Sequence, residues 1–287
     1  MSSIPLVVDT EWLAGRLEDP KLRLVDVTTY LQTKDGETKS WAGRETYQEA
    51  HIPGAVYADI LNDFSDPEGD FRFTVPPRNQ FVKNAEKLGL GDPDTYIVVY
   101  DSGYATADET LVAPYWATRF AWQLRYEGAE NVAVLDGGFA KWKQEDRPTK
   151  SGEESYPETT FEGERKEGLF VGKEEVKEAL DKDDIIVIDS LLESSFESGH
   201  IPGSCNIPFN SHSDMKTLEM VDEDKLKSKF EEVGALDPDK KVITYCGGGI
   251  AATWNAILLN KLGQKNVAVY DGSMSEWSAD ESLPIEK

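Results

Sequence analysis

Two cysteines and three histidines are the only thiol and imidazole side chains among 287 residues. Cys205 and Cys246 are too few for a disulfide framework. His51, His200 and His212 provide poorly for a metal centre, and two of them sit in a repeated His-Ile-Pro-Gly turn, which suits a structural role. Cys246 has the surroundings that chemistry needs. It stands in Val242-Ile243-Thr244-Tyr245-Cys246-Gly247-Gly248-Gly249-Ile250-Ala251-Ala252, where a β-branched run ends and a helical pattern begins. Glycines let the backbone curl so that several N–H groups converge on one point. The N-terminus of the following helix adds partial positive charge there. Gly247, Gly248, Gly249, Ile250 and Ala251 are therefore expected to cradle an anionic sulfur, with Cys246 as a thiolate nucleophile.

Other chemistries fail at the same loop. A cysteine-dependent phosphatase needs an arginine six residues after the nucleophile to clamp phosphate. That position is Ala252, and no arginine follows Arg165. Gly249 is followed by Ile250, where a Walker A loop needs lysine, and no G-x-G-x-x-G opens a strand–helix turn.

The elements around the cysteine follow from periodicity. Ile185–Ile188 and Val242–Tyr245 are short β-branched runs that read as buried parallel strands, and residues 251–264 carry helical spacing. In an open parallel sheet, ligands bind beyond the carboxyl ends of the strands, which is where Cys246 falls. The same signals occur twice, in the same order. LRLVDV, His51-Ile52-Pro53-Gly54, YIVVYDSG and NVAVLDGGFAKW in the first half match DIIVIDS, His200-Ile201-Pro202-Gly203, KVITYCGG and NVAVYDGSMSEW in the second. Such a repeat implies two copies of one α/β unit. Asp101 occupies the position of Cys246 in the first copy, so that copy is expected to be non-catalytic. The expected organisation is a first domain over 1–148, a polar, proline-containing linker over 149–165 and a catalytic second domain over 166–287.

Composition bounds the partners. The formal charge is −24 with 39% hydrophobic residues, enough apolar material for sizeable cores. A surface this acidic disfavours nucleic acid and anionic membranes, and it obliges any anion site to be local. The N-terminus shows no signal-peptide pattern and no stretch is long enough to span a bilayer, so a cytoplasmic protein is expected.

Taken together, these segments resemble the tandem-domain rhodanese family of thiosulfate and 3-mercaptopyruvate sulfurtransferases. Tyr47-Gln48-Glu49-Ala50-His51-Ile52-Pro53-Gly54-Ala55 resembles the family's N-terminal signature, with tyrosine where phenylalanine is usual. Val269-Tyr270-Asp271-Gly272-Ser273-Met274-Ser275-Glu276-Trp277 resembles the C-terminal one, with methionine where an aromatic is usual. The resemblance implies two rhodanese-like domains, each a parallel sheet flanked by helices. It implies double displacement through a persulfide on Cys246, a cyanide or thiol acceptor, and no metal or organic cofactor. A persulfide relay fed by a protein partner is the alternative.

Departures from the family bear on the donor. Thiosulfate-preferring members begin the loop Cys-Arg-Lys-Gly, and mercaptopyruvate-preferring members Cys-Gly-Ser-Gly. Here it is Cys246-Gly247-Gly248-Gly249, and Asp189-Ser190-Leu191-Leu192 lacks the arginine usual after that aspartate. Loop N–H groups, lysines or first-half residues must then recognise the donor anion. Arg44, Arg72 and Arg78 are candidates, with Trp41 and Tyr104 as apolar walls and His51 as a further contact. Cys205, Trp142 and Trp277 read as core residues, and Asp136-Gly137-Gly138 and Asp271-Gly272-Ser273 as strand-exit turns.

Overall fold

Runs such as YIVVY and KVITY have no polar face, so they are stable only where both faces of a sheet are covered. The computed structural model, which describes residues 4–34, 37–102, 115–214, 217 and 219–287, places them so. In the first half the strands are β1 (Val7–Val8), β2 (Leu22–Asp26), β3 (Thr29–Lys34), β4 (Glu37–Ala42), β5 (Ala55–Tyr57), β6 (Tyr96–Tyr100) and β7 (Val132–Leu135). In the second they are β8 (Phe170–Val171), β9 (Ile185–Asp189), β10 (Cys205–Asn206), β11 (Lys241–Tyr245) and β12 (Val267–Tyr270). The first sheet runs β1-β7-β6-β2-β5 and the second β8-β12-β11-β9-β10, all parallel. The order is the same in both, which makes the sequence repeat a structural one. An antiparallel hairpin of β3 and β4 is added in the first half.

Helices cover the sheets. The helix over Tyr115–Glu127 is buried along nearly its whole length, polar Arg119, Gln123 and Glu127 included, and that over Ala252–Lys261 is buried from Ala252 to Leu259. Leu24, Val98, Ala133 and Trp142 centre one core, and Ile201, Tyr245, Ala268 and Trp277 centre the other. No helix among the described residues is long and apolar enough to cross a membrane.

The chain forms two compact units, and neither is continuous in sequence. The first comprises Met1–Pro67, Val75–Lys166 and Ser213–Met220; the second comprises Glu68–Thr74, Glu167–His212 and Val221–Lys287. The 149–165 segment carries no helix or strand of its own, yet it is held against the first unit rather than solvated. Tyr156 Oη donates to the Gly54 carbonyl at 2.6 Å, and Phe161 is buried. Arg165 and Arg78 both pair with the buried carboxylate of Glu127, Arg78 at 2.6 Å. Two aromatic residues in an otherwise polar run give it enough apolar surface to stay down.

Candidate active site

Cys246 leaves the sheet at the carboxyl end of β11, which lies between β9 and β12. Its backbone is fixed from both neighbours. The Ser190 N–H, just past β9, donates to the Tyr245 carbonyl at 2.8 Å. The turn after β12 does more: the N–H groups of Met274 and Ser275 donate to the carbonyls of Cys246 and Gly247, each at 2.9 Å. Ser275 Oγ donates to the Gly247 carbonyl at 2.6 Å, and the Cys246 N–H donates to Ser273 Oγ at 3.1 Å. The thiol-bearing residue is only 2% exposed, so its sulfur is shielded from bulk water.

The three glycines serve different purposes. A Cβ on Gly247 would meet nothing within 4 Å. One on Gly248 would lie 3.3 Å from Cδ2 of Phe73, so that ring closes one side of the loop. Gly249 has φ +74°, a left-handed backbone that disfavours any side chain. The loop then delivers the chain to the helix over Ala252–Lys261, whose first turn has no side-chain cap. The N–H groups of Thr253 and Trp254 turn back onto the Ile250 and Ala251 carbonyls, each at 3.1 Å, and the positive end of the helix dipole faces the turn.

The equivalent corner of the first unit shows what such a corner binds. Asp101 follows β6 as Cys246 follows β11. It is 1% exposed, and its Oδ2 accepts the N–H of Ala117, in the first turn of the helix over Tyr115–Glu127, at 2.8 Å. A carboxylate thus occupies the helix N-terminus where the second unit places a thiol.

Beneath the cysteine loop lies a buried polar chain. Asn255 donates to Ser190 Oγ at 2.8 Å and to the Ile207 carbonyl at 2.9 Å, and its Oδ1 meets His212 Nε2. Burial pushes the His212 imidazolium down to about 3, so the ring is neutral at physiological pH, stacked 5.7 Å from Phe230. Asn255 thus ties the helix to the residue after β9, and His212 holds the Asn255 amide in place.

The remaining candidates separate. Within the first unit, Arg44 pairs with Glu153 at 3.0 Å and lies 5.0 Å over the Tyr57 ring. Trp41 is 47% exposed and stacks on Tyr30. His51 is fully buried, with Nδ1 2.8 Å from the Tyr47 carbonyl and its ring stacked on Tyr47. His200 repeats this against Phe196, with Nδ1 2.9 Å from the carbonyl. Both histidines therefore close the same turn. Arg78 is committed to Glu127, and Tyr104 lies outside the described residues. Arg72 alone of the arginine candidates belongs to the second unit, its guanidinium 5.0 Å over the Phe73 ring that abuts Gly248.

Cys205 departs from expectation. It opens β10, an edge strand, and is half-buried rather than buried, with burial still pushing its thiol up to about 11. Trp142 and Trp277 are fully buried, as expected of core residues. Sequence reasoning missed Phe73, because nothing local marks residues 68–74 for the second unit. It also read Ser273 only as part of a turn, although glycine stands at the matching position, Gly138.

Comparison with known proteins agrees with this geometry. The model of the rhodanese-like domain matches residues 9–145 and again 172–280. The chain is 30% identical to the 3-mercaptopyruvate sulfurtransferase of Homo sapiens over 286 residues, covering 94% of this chain and 91% of that one. It is 32% identical to the thiosulfate sulfurtransferase of Rattus norvegicus over 294 residues, with the same coverage. The crystal structure of the 3-mercaptopyruvate sulfotransferase of Escherichia coli superposes with a TM-score of 0.78 at 29% identity, covering 94% of this chain and 99% of that one. With two matching segments, two sheets of one strand order and a cysteine at the end of one central strand, the chain belongs to the rhodanese family as a tandem of two rhodanese-like domains.

Proposed function

We propose that the protein is a sulfurtransferase that moves sulfane sulfur from thiosulfate or 3-mercaptopyruvate to a thiol or cyanide through a persulfide on Cys246. The observation that carries this reading is the pair of matched corners. The Asp101 carboxyl accepts a helix-terminal N–H at 2.8 Å, and Cys246 stands at the equivalent place before a helix with no side-chain cap. A thiolate or persulfide is the anion that would complete the second corner.

The chemistry is a double displacement. The Cys246 thiolate attacks the outer sulfur of the donor. The S–S bond of thiosulfate breaks and sulfite leaves, or the C–S bond of mercaptopyruvate breaks and the pyruvate enolate leaves to take a proton from solvent. The acceptor thiolate or cyanide then attacks the outer sulfur of the persulfide and returns the Cys246 thiolate. No electrons are gained or lost overall. Donor anions would meet the loop N–H groups and Arg72, since no arginine follows Arg165. A cytoplasmic setting, where thiol acceptors are reduced, belongs to the same reading.

Mass spectrometry of protein incubated with either donor tests it. The expected result is one added sulfur, about 32 Da, on the peptide carrying Cys246, lost again on adding cyanide. Cys246→Ser should show neither the adduct nor turnover, with its thermal midpoint unchanged. A Cys246→Ser variant that still transfers sulfur sinks the assignment.

A further inference from the structure

The two strand-exit turns that face the Asp101 and Cys246 corners differ at one residue. Gly138 has φ +55° and Ser273 has φ +50°. Glycine adopts this conformation freely, whereas a serine with a Cβ is disfavoured there. At Gly138 a side chain is also sterically excluded, since a Cβ would come within 2.5 Å of the Asp101 carbonyl oxygen. The second unit therefore keeps a residue that its backbone conformation disfavours, although its own repeat shows that glycine serves the same turn.

The serine has two partners. It is fully buried, its Oγ donates to the Tyr270 carbonyl at 2.7 Å, and it accepts the Cys246 N–H at 3.1 Å. The hydroxyl thus links the last residue of β12 to the amide of Cys246. Strained residues that persist in a well-packed site are held there by the surroundings and cluster where function needs them. From this we infer that Ser273 is a positioning residue for sulfur transfer: its hydroxyl fixes the peptide plane between Tyr245 and Cys246, and with it the direction in which the sulfur leaves the backbone.

A fixed direction matters in both displacements, because attack on sulfur requires the nucleophile, the transferred sulfur and the leaving group in line. Misplacement by a fraction of an ångström costs rate without costing donor affinity, which on this reading comes from the loop N–H groups and Arg72. Engaging the Cys246 amide with Ser273 also keeps that N–H from turning onto its own sulfur. The bound sulfur is then left to the N–H groups further along the loop.

This inference rests on the sulfurtransferase reading, and two variants separate it from that reading. Ser273→Gly removes the hydroxyl and relieves the strained backbone. Ser273→Ala removes the hydroxyl and keeps the strain. Both should lower the single-turnover rate of persulfide formation about tenfold, with KM for 3-mercaptopyruvate within twofold of the unaltered protein. Their thermal midpoints should diverge, with Ser273→Gly at or above the unaltered protein and Ser273→Ala below it. A purely structural serine would leave the rate of Ser273→Gly unchanged. That outcome, beside an inert Cys246→Ser, overturns this inference alone. Absence of a persulfide from the unaltered protein overturns the sulfurtransferase reading and this inference with it.

Discussion

The two units support their strand-end corners alike and differ in what those corners hold. In each, the isoleucine of the His-Ile-Pro-Gly turn donates its N–H to a strand tyrosine at 3.1 Å, Ile52 to Tyr100 and Ile201 to Tyr245. In each, a buried tryptophan reaches a proline carbonyl, Trp142 to Pro148 at 2.8 Å and Trp277 to Pro284 at 2.9 Å. The residue after the strand accepts an N–H from the facing turn in both, Asp101 from Phe139 and Cys246 from Met274, each at 2.9 Å. At that point the likeness stops. The first unit fills its helix N-terminus with its own carboxylate and faces it with glycine. The second has a thiol, three glycines and a serine there. The scaffold is thus indifferent to chemistry, and the corner decides it.

The sharpest way to break this comparison is to make the second corner like the first. Cys246→Asp puts a permanent carboxylate before the helix over Ala252–Lys261. Sulfur transfer should fall by more than about a thousandfold, since no nucleophilic sulfur remains. The fold should survive, with a thermal midpoint close to that of the unaltered protein, because the helix N-terminus offsets the cost of burying the carboxylate. Unfolding of this variant would show that the second corner cannot hold an anion as the first does, and would remove the main support for the proposed persulfide site.

A second variant sharpens the donor question. The relatives include both donor classes at nearly equal identity, 30% and 32%, so overall similarity does not choose. Gly247 has open space around the position of a Cβ and an ordinary backbone, unlike Gly249 at φ +74°. Gly247→Arg should therefore be accommodated and should add the positive charge that the loop lacks. KM for thiosulfate is expected to fall about tenfold, equivalent to about 1.4 kcal/mol, while KM for 3-mercaptopyruvate changes less. Equal effects on both donors would show that charge at this position does not set the preference.

Much of this was legible in the sequence because it is written locally. VITY and YIVVY are recognisable as central strands by their lack of a polar face. The Cys-Gly-Gly-Gly run announces a turn into a helix, and the repeat pairs Asp101 with Cys246. What was not legible depends on contacts between distant segments. Nothing near Phe73 predicts that residues 68–74 join the second unit, yet its ring limits what position 248 can carry. Residues 213–220 likewise join the first unit, where the Met220 N–H donates to Asp136 at 2.9 Å. Cys205 looked like core because its neighbours are apolar, but β10 is a two-residue edge strand, which covers it incompletely. The hydroxyl of Ser273 was hidden for another reason: a serine in a turn is common, and only its φ shows it to be out of place.

The smallest expected effect concerns what the units share. Asp26 and Asp189 end equivalent strands and accept the N–H of Thr28 and Leu191 at 2.8 and 2.7 Å. Burial raises both carboxyls, Asp26 to about 6. Burial also raises Asp136 to about 6. A carboxyl whose pKa is higher in the folded than the unfolded chain favours folding at low pH. That contribution is complete below about pH 4 and is lost as pH rises through 6. For Asp26, the step from pH 7.5 to 5.5 returns about 1 kcal/mol, or roughly 2–4 °C in a protein of this size. Charging of His212 in the unfolded chain works the other way over the same range, so the test is a difference: the stability of the unaltered protein relative to Asp26→Asn should be higher at pH 5.5 than at pH 7.5. A difference that does not rise between pH 7.5 and 5.5 would mean that the Asp26 carboxylate is held ionised by the fold. The strand-end aspartates would then be anion sites in their own right, and the Asp101 corner would lose its standing as the first unit's special feature.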